Sequence, residues 1–200
     1  LRRAEKLGID SYEGYFDYIT SGPDRRKEIE KFIDIITVHE TFFYRNQPQL
    51  ESFEKDVLRP LVEKKKGGKI RIWSAACSTG DEVYTTIFQF LQNGWLNKVT
   101  LEIVGTDISH QSVEDARNGV YSEYALRNVP PDLRAKYFTE QEARQSALSE
   151  HIKKMATFKP VNLKEPSETR ALGKFDIVLC RNVLIYFDSA AKEQVLWNIY

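Results

Sequence analysis

The sequence predicts an α/β protein: a parallel sheet with helices on both faces, preceded by a short helical domain and interrupted by a small inserted subdomain. Three observations predict it. Four strand-like apolar runs, KIRIWSA (69–75), TLEIVGTDI (100–108), ATFKPVNL (156–163) and KFDIVLCRN (174–182), recur from residue 69 onward. Amphipathic helical stretches alternate with them, as parallel βαβ units require. Each run also ends in small or polar residues, and open α/β sheets bind ligands outside the carboxyl ends of their strands.

The elements follow in order. SYEGYFDYI places Tyr12, Tyr15, Phe16 and Ile19 at helical spacing, and SGPD breaks the pattern. DRRKEIEKFIDII resumes it, with Ile29, Phe32, Ile33 and Ile36 on one face. Residues 1–36 thus read as a helical N-terminal domain, incomplete as it stands. TVHETFFYRNQP is too aromatic for an ordinary linker and too irregular for a helix. From Pro48, the residues Leu50, Phe53, Val57 and Leu61 mark a further helix, interrupted near Pro60, so 37–68 is a connecting region. The α/β domain occupies 69–200. DEVYTTIFQFLQNG is its first helix, Ser109 caps the second, HQSVEDARNG, and DSAAKEQVLWNIY opens the last. Residues 119–155 interrupt the alternation and are too long for a loop, which marks an inserted subdomain.

Composition narrows the function. Lys plus Arg and Asp plus Glu are 29 each, so nothing suggests a general affinity for nucleic acid or anionic membrane. No run of 18 apolar residues or signal peptide occurs. Two cysteines, Cys77 and Cys180, make no disulfide or zinc framework, and a reducing cytoplasm is the expected setting. The three histidines have no metal-ligand spacing; His110 and His151 read as surface residues. The chain opens at Leu1 and stops at Tyr200 inside a helical pattern, which reads as a fragment.

The turn WSAACSTGDE (73–82) indicates the class of ligand. It lacks G-x-x-x-x-G-K-[ST] and G-x-G-x-x-G, Gly80 being its one glycine. Asp81 and Glu82 suit a helix N-terminus but repel a pyrophosphate. Asp107, at the end of the second run, stands where a carboxylate takes both hydroxyls of a ribose. Adenosine with a cationic amino-acid tail and no phosphate describes S-adenosylmethionine. Plainer readings stand beside this one: the acidic pair as dipole partner and cap, Asp107 as an N-cap, the cysteines as small core residues.

Five segments carry a resemblance. WSAACSTGDEVY, GTDIS, FKPVNL and FDIVLCRNVLIYFD resemble the chemotaxis-receptor glutamate methyltransferases, the CheR family, and ITVHETFFYRN (36–46) is similar to that family's signature. The likeness covers most of residues 10–200. It implies a Rossmann-like class I methyltransferase sheet and methyl transfer from S-adenosylmethionine to glutamates on cytoplasmic chemoreceptor helices, leaving S-adenosylhomocysteine. It also implies roles. Ala75, Gly80 and Glu82 belong to the cofactor turn, with Glu82 facing the donor's amino group, and Asp107 holds the ribose. Asn162 and Leu163 line the adenine, and Arg181 and Asn182 close the site beneath the methionine moiety. Thr41 and Arg45 reach over the cofactor, and His39, where many relatives carry an asparagine, is either a donor contact or a solvent-facing or structural histidine. Arg45 engages a carboxylate, the donor's or the acceptor's, and Tyr186 stands beside the acceptor. A surface arginine, ordinary core packing of Tyr186 and a structural His39 are the alternatives.

The match thins in three places. In some members a small β-subdomain with a glycine-containing loop holds a pentapeptide tether, whereas TEQEARQSALSEHIKK has no glycine, so tether-independent capture is expected. The helical N-terminal domain is short. The last strands of the sheet are missing after Tyr200, which would leave sheet edges unprotected and activity incomplete. Two other functions stay open: transfer to another carboxylate or small molecule, and a non-catalytic S-adenosylmethionine-binding regulatory module. Methylation of nucleic-acid amino groups fits less well, because Arg181-Asn182-Val183-Leu184 replaces an Asn/Asp-Pro-Pro-aromatic motif.

Overall fold

The computed structural model describes residues 2–200. Three helices open the chain, α1 (Arg2–Lys6), α2 (Tyr12–Ser21) and α3 (Arg25–Ile36). After an irregular segment, α4 (Gln47–Ser52) runs through a π-helical stretch, Phe53–Leu58, into α5 (Arg59–Lys64). Then come β1 (Lys69–Ala75), α6 (Asp81–Gln92), β2 (Thr100–Asp107) and α7 (His110–Asn118). The inserted stretch holds β3 (Val120–Ser122), α8 (Glu123–Leu126), α9 (Pro131–Tyr137), β4 (Phe138–Gln141), β5 (Gln145–Leu148) and α10 (Glu150–Lys153). The chain continues with β6 (Ala156–Pro160), α11 (Pro166–Arg170), β7 (Ile177–Cys180) and α12 (Ser189–Ile199).

The main sheet has the order β6-β2-β1-β7, with every pairing parallel. Its central strand is apolar on both sides: Ile72 pairs with Ile103 and Ile177, and Trp73 with Val104 and Val178. The Trp73 indole N–H donates to Thr106 Oγ1 at 2.9 Å, so the buried polar atom is satisfied. Helix α6 is buried almost all round, through Val83, Tyr84, Ile87, Phe88 and Phe90, because the sheet covers one side and other elements the rest. Gly105 in β2 makes room for Phe158 of β6 and for the turn after β1: a Cβ there would lie 2.7 Å from the Phe158 ring and 2.9 Å from Cys77 Sγ. The strands β3, β5 and β4 form a separate antiparallel sheet in that order.

The sequence reading needs correction at four points. The helix near Pro60 is widened rather than interrupted. The Arg59 N–H bonds to the Glu54 carbonyl, an i→i−5 step that brings the chain to Pro60, which has no N–H to give. The third strand stops at Pro160, because Asn162 Oδ1 accepts the Lys164 N–H at 3.0 Å and turns the chain. The fourth spans only Ile177–Cys180, since Asn182 takes a left-handed φ of 59°. The apolar face expected of α3 is largely uncovered, Ile29 and Ile36 being exposed. Its buried member is Glu28, which accepts from Arg3 Nε at 2.8 Å and the Tyr15 hydroxyl at 2.9 Å. The first helices are thus joined by a charged bond as much as by apolar packing.

Candidate active site

Around the carboxyl ends of β1, β2 and β7 lies a cavity of about 510 Å³. Strand order reverses here, since β2 and β6 lie on one side of β1 and β7 on the other. Residues 36–42 and Arg45 wall it on one side, and the turn after β7 on another.

The aromatic signature is an anchored strap. Phe43 is fully buried, edge-on to Tyr121 at 4.8 Å and to Phe138 at 5.6 Å between centroids. Its N–H donates to the Ala125 carbonyl at 3.1 Å, and the Tyr44 N–H to Thr85 Oγ1 at 3.1 Å. Thr41 and Arg45, on either side of the anchor, both line the cavity. Arg45 Nη1 donates to the Glu40 carbonyl at 2.5 Å. Phe42 carries the Arg127 guanidinium 3.4 Å above its ring centre, a cation–π contact that steadies the strap.

The floor is built from backbone. After β1 the Cys77 N–H bonds to the Thr106 carbonyl at 2.8 Å. Ala76 and Ser78 take φ of 60° and 49°, and both line the cavity. Asp107, 8% exposed, accepts the Ser78 N–H on Oδ2 at 2.8 Å and the Ser109 N–H on Oδ1 at 3.0 Å. Glu82 accepts the Ser74 hydroxyl on Oε1 at 2.8 Å and Arg181 Nη1 on Oε2 at 2.7 Å. The same guanidinium reaches Gln49 Oε1 at 3.0 Å and the Arg45 carbonyl at 3.1 Å. One arginine therefore ties the strap, the cofactor turn and the end of β7 together. Tyr44, Asn46 and Asn182 also hold positive φ. Strained backbone of this kind persists where its surroundings over-determine it, as around a site.

Ten of the residues singled out in the sequence line this cavity. They are His39, Thr41 and Arg45 from the strap, Glu82 and Asp107 from the floor, and Asn162, Leu163, Arg181, Asn182 and Tyr186 from the strand ends beyond. Two do not. Ala75, 1% exposed, packs beneath the sheet end with Trp73 and Val104. Gly80 serves packing: at φ 86° a Cβ there would lie 3.0 Å from Ala116 Cβ and 3.1 Å from Phe158. The acidic pair also divides. Glu82 faces the cavity, whereas Asp81 is buried, bonded on Oδ2 to the Thr79 hydroxyl at 2.6 Å, with Oδ1 unpartnered. Burial pushes the Asp81 carboxyl up to about 6, against the Thr79 bond, which favours the charged form. Tyr186, 61% exposed, stands at the mouth, which excludes core packing.

Sequence reasoning missed Ser78 and the apolar members Ile36, Val38, Ile108 and Ile185. Ile36 was read only as one of four apolar residues on one helix face; Ile185 was signalled only by an apolar pair after Arg181-Asn182 that no helix continues. Burial pushes the Cys180 thiol up to about 11 and that of Cys77 well above its ordinary value.

The family description "CheR methyltransferase, SAM binding domain" matches residues 39–200. The chain belongs to the CheR methyltransferase family. It is 35% identical over 205 residues to chemotaxis protein methyltransferase 2 of Vibrio cholerae, covering 100% of this chain and 69% of that one. It is 32% identical to the chemotaxis protein methyltransferase of Borreliella burgdorferi, covering 94% and 68%. The CheR chain is a methyltransferase, and S-adenosylmethionine is its cofactor. The cavity suits that group: among its lining residues Asp107 and Glu82 are carboxylates, of the kind a ribose diol and a cation would take, and Ile108, Val161 and Leu163 are apolar, as a purine would require. Among the described residues no helix is long and apolar enough to cross a membrane.

Proposed function

We propose that this CheR chain transfers methyl groups to glutamate side chains on the cytoplasmic helices of chemoreceptors, forming glutamate methyl esters. The observation that carries the reading is one cavity with two kinds of wall. Its floor holds the carboxylates Glu82 and Asp107, and its mouth holds Arg45 and Tyr186 among exposed apolar residues.

Bound S-adenosylmethionine supplies an electrophilic methyl group on a sulfonium. The chain's own residues hold, orient and desolvate. Asp107, fixed by two N–H groups, takes the ribose hydroxyls. Glu82, partly neutralised by Arg181, faces the amino group, and Asn182 closes the floor beside it. Asn162 and Leu163 take the adenine. The Asn162 carbonyl is engaged by Lys164, so its amide nitrogen is the group to offer. Thr41 and His39 close the strap side. Arg45 grips the acceptor carboxylate, a fork that a guanidinium forms bidentately, and Tyr186 flanks it. A glutamate with a pKa near ~4.3 is ionised at neutral pH, so no general base is needed and positioning supplies the acceleration.

The acceptor helix docks directly on the mouth rather than through a C-terminal tether. The exposed residues Ile36, Val38 and Ile185 support this. The β4–β5 turn closes without glycine, Ala143 and Arg144 taking φ of 58° and 56°.

The test is incubation with methyl-labelled S-adenosylmethionine and a receptor cytoplasmic fragment, intact or lacking its C-terminus. Label on glutamates that forms at similar rates on both fragments and is released as methanol by alkali is expected. Tight S-adenosylhomocysteine binding with no ester formed would turn the reading to a regulatory module. A rate that collapses with the shortened fragment would restore the tether.

A further inference from the structure

The two oxygens of Asp107 are held by the N–H groups of Ser78 and Ser109. The hydroxyls of those same two serines point the other way, to one short stretch at the end of the N-terminal helices. Ser109 Oγ donates to Asp34 Oδ1 at 2.7 Å, and Ser78 Oγ to the His39 carbonyl at 3.4 Å. Asp34 lies in the last turns of α3 and also receives the Gln111 N–H at 3.4 Å. It therefore caps α7 from a separate element, where a carboxylate meets free N–H groups.

The His39 ring fastens the same stretch. Thr37 Oγ1 donates to the Ile33 carbonyl at 2.7 Å, so it accepts from His39 Nε2 at 2.8 Å, and the Asp34 carbonyl at 3.1 Å accepts from the same atom. The proton is thus on Nε2, an assignment made from the network. Nδ1 accepts the Ser112 hydroxyl at 2.8 Å. Both ring nitrogens are committed within the chain.

We infer that residues 34–39 form a positioning clasp, in which Asp34 and His39 fix Ser109 and Ser78 and so the orientation of the Asp107 carboxylate. Asp34, Ser109 and Ser112 do not line the cavity, so they act through Asp107 and are positioning residues. The N-terminal helices belong to the cofactor site through this clasp. Coupling between binding sites is reciprocal, so cofactor binding tightens the docking of residues 34–41. The inference rests on the assignment of Asp107 to the ribose made above.

The experiment is calorimetric titration of the whole chain with S-adenosylhomocysteine, with amide exchange of residues 34–41 measured with and without it. Asp107→Ala loses binding. Asp34→Ala weakens binding about tenfold, the size of one charge-assisted hydrogen bond. Asp34→Asn, which keeps the Oδ1 acceptor, stays within about threefold of wild type. Saturating ligand slows exchange at 37–41 in the wild type and leaves Asp34→Ala unchanged, a readout that a merely structural role would not move. Wild-type affinity in a folded Asp34→Ala, with Asp107→Ala defective, overturns the clasp alone. Wild-type affinity in Asp107→Ala overturns the ribose assignment and the clasp with it. Should Asp34→Ala not fold, Ser112→Ala removes only the His39 Nδ1 partner. It is expected to bind about threefold more weakly, and unchanged affinity there also overturns the clasp.

Discussion

On the floor of the cavity Cys77 and Asp107 are 3% and 8% exposed, whereas at its mouth Val38, Ile185 and Tyr186 are 61%, 73% and 61% exposed. The floor comes from parallel strands in register, and its polar groups are held by backbone N–H groups and a buried hydroxyl. The mouth comes from a strap and a turn distant in sequence, joined by Arg181. A floor of this kind is preorganised for one ligand. A mouth with exposed apolar side chains is open to a second. The two substrates of a transfer reaction then meet different physics, and changes to each wall should separate their kinetic constants.

The largest expected effect is at the mouth. Arg45→Ala should lower kcat for receptor methylation by about 10²–10³-fold, the cost of removing one preorganised charge from a reacting group. The KM for S-adenosylmethionine should move little. A variant with a raised cofactor KM and near-normal kcat would assign Arg45 to the donor's carboxylate instead. On the floor, Glu82→Gln should weaken S-adenosylhomocysteine about 10-fold to 30-fold by calorimetry, because the cation loses its counter-charge and Arg181 its partner. Unchanged affinity there would mean that Glu82 serves Arg181 alone.

The floor was the more legible of the two in the sequence. Asp107 ends β2 and Glu82 lies in the first turn of α6 after β1, where sheet topology predicts a ligand, and both line the cavity. What the sequence does not display is direction. Asp81 and Glu82 are adjacent, yet a helix turns successive side chains by about 100°, so one enters the core and one the cavity. His39 was read as a possible donor contact, but its ring nitrogens are taken up by Thr37, Asp34 and Ser112. Gly80 looked like a cofactor glycine and is required by Ala116 and Phe158. The link from Arg181 to Gln49 spans 132 positions, beyond any local pattern. The exposed face of α3 could not be read because periodicity states which side is apolar, not whether anything covers it.

Asp81 sharpens the contrast within the acidic pair through pH. Its ordinary value of 3.8 rises to about 6 in the folded protein, so the native state binds the proton more tightly than the unfolded chain. The stability this group contributes is full below pH 3.8 and is lost as pH rises through 6. Relative to Asp81→Asn, the wild type should therefore lose on the order of 2 kcal/mol between pH 4 and pH 7. Denaturant melts at the two pH values check this. A difference that does not change with pH would mean that the folded Asp81 keeps its ordinary value, its charge satisfied by water.

The smallest effect expected is at the apolar rim. Ile185 is 73% and Val38 61% exposed, so neither stabilises the free chain much, and Ile185→Ser or Val38→Ser should shift its melting by less than about 0.5 kcal/mol. Both line the cavity, one from the strap and one from the turn after β7, so an acceptor helix seated there would cover them. Covering part of each side chain is worth roughly 1 kcal/mol, which predicts a receptor KM raised about 3-fold to 5-fold. Neither should change the affinity for S-adenosylhomocysteine, which meets the floor. A receptor KM untouched by both changes would mean that the acceptor approaches over the Phe42–Arg127 side of the strap, where Phe42→Ala would then carry the loss.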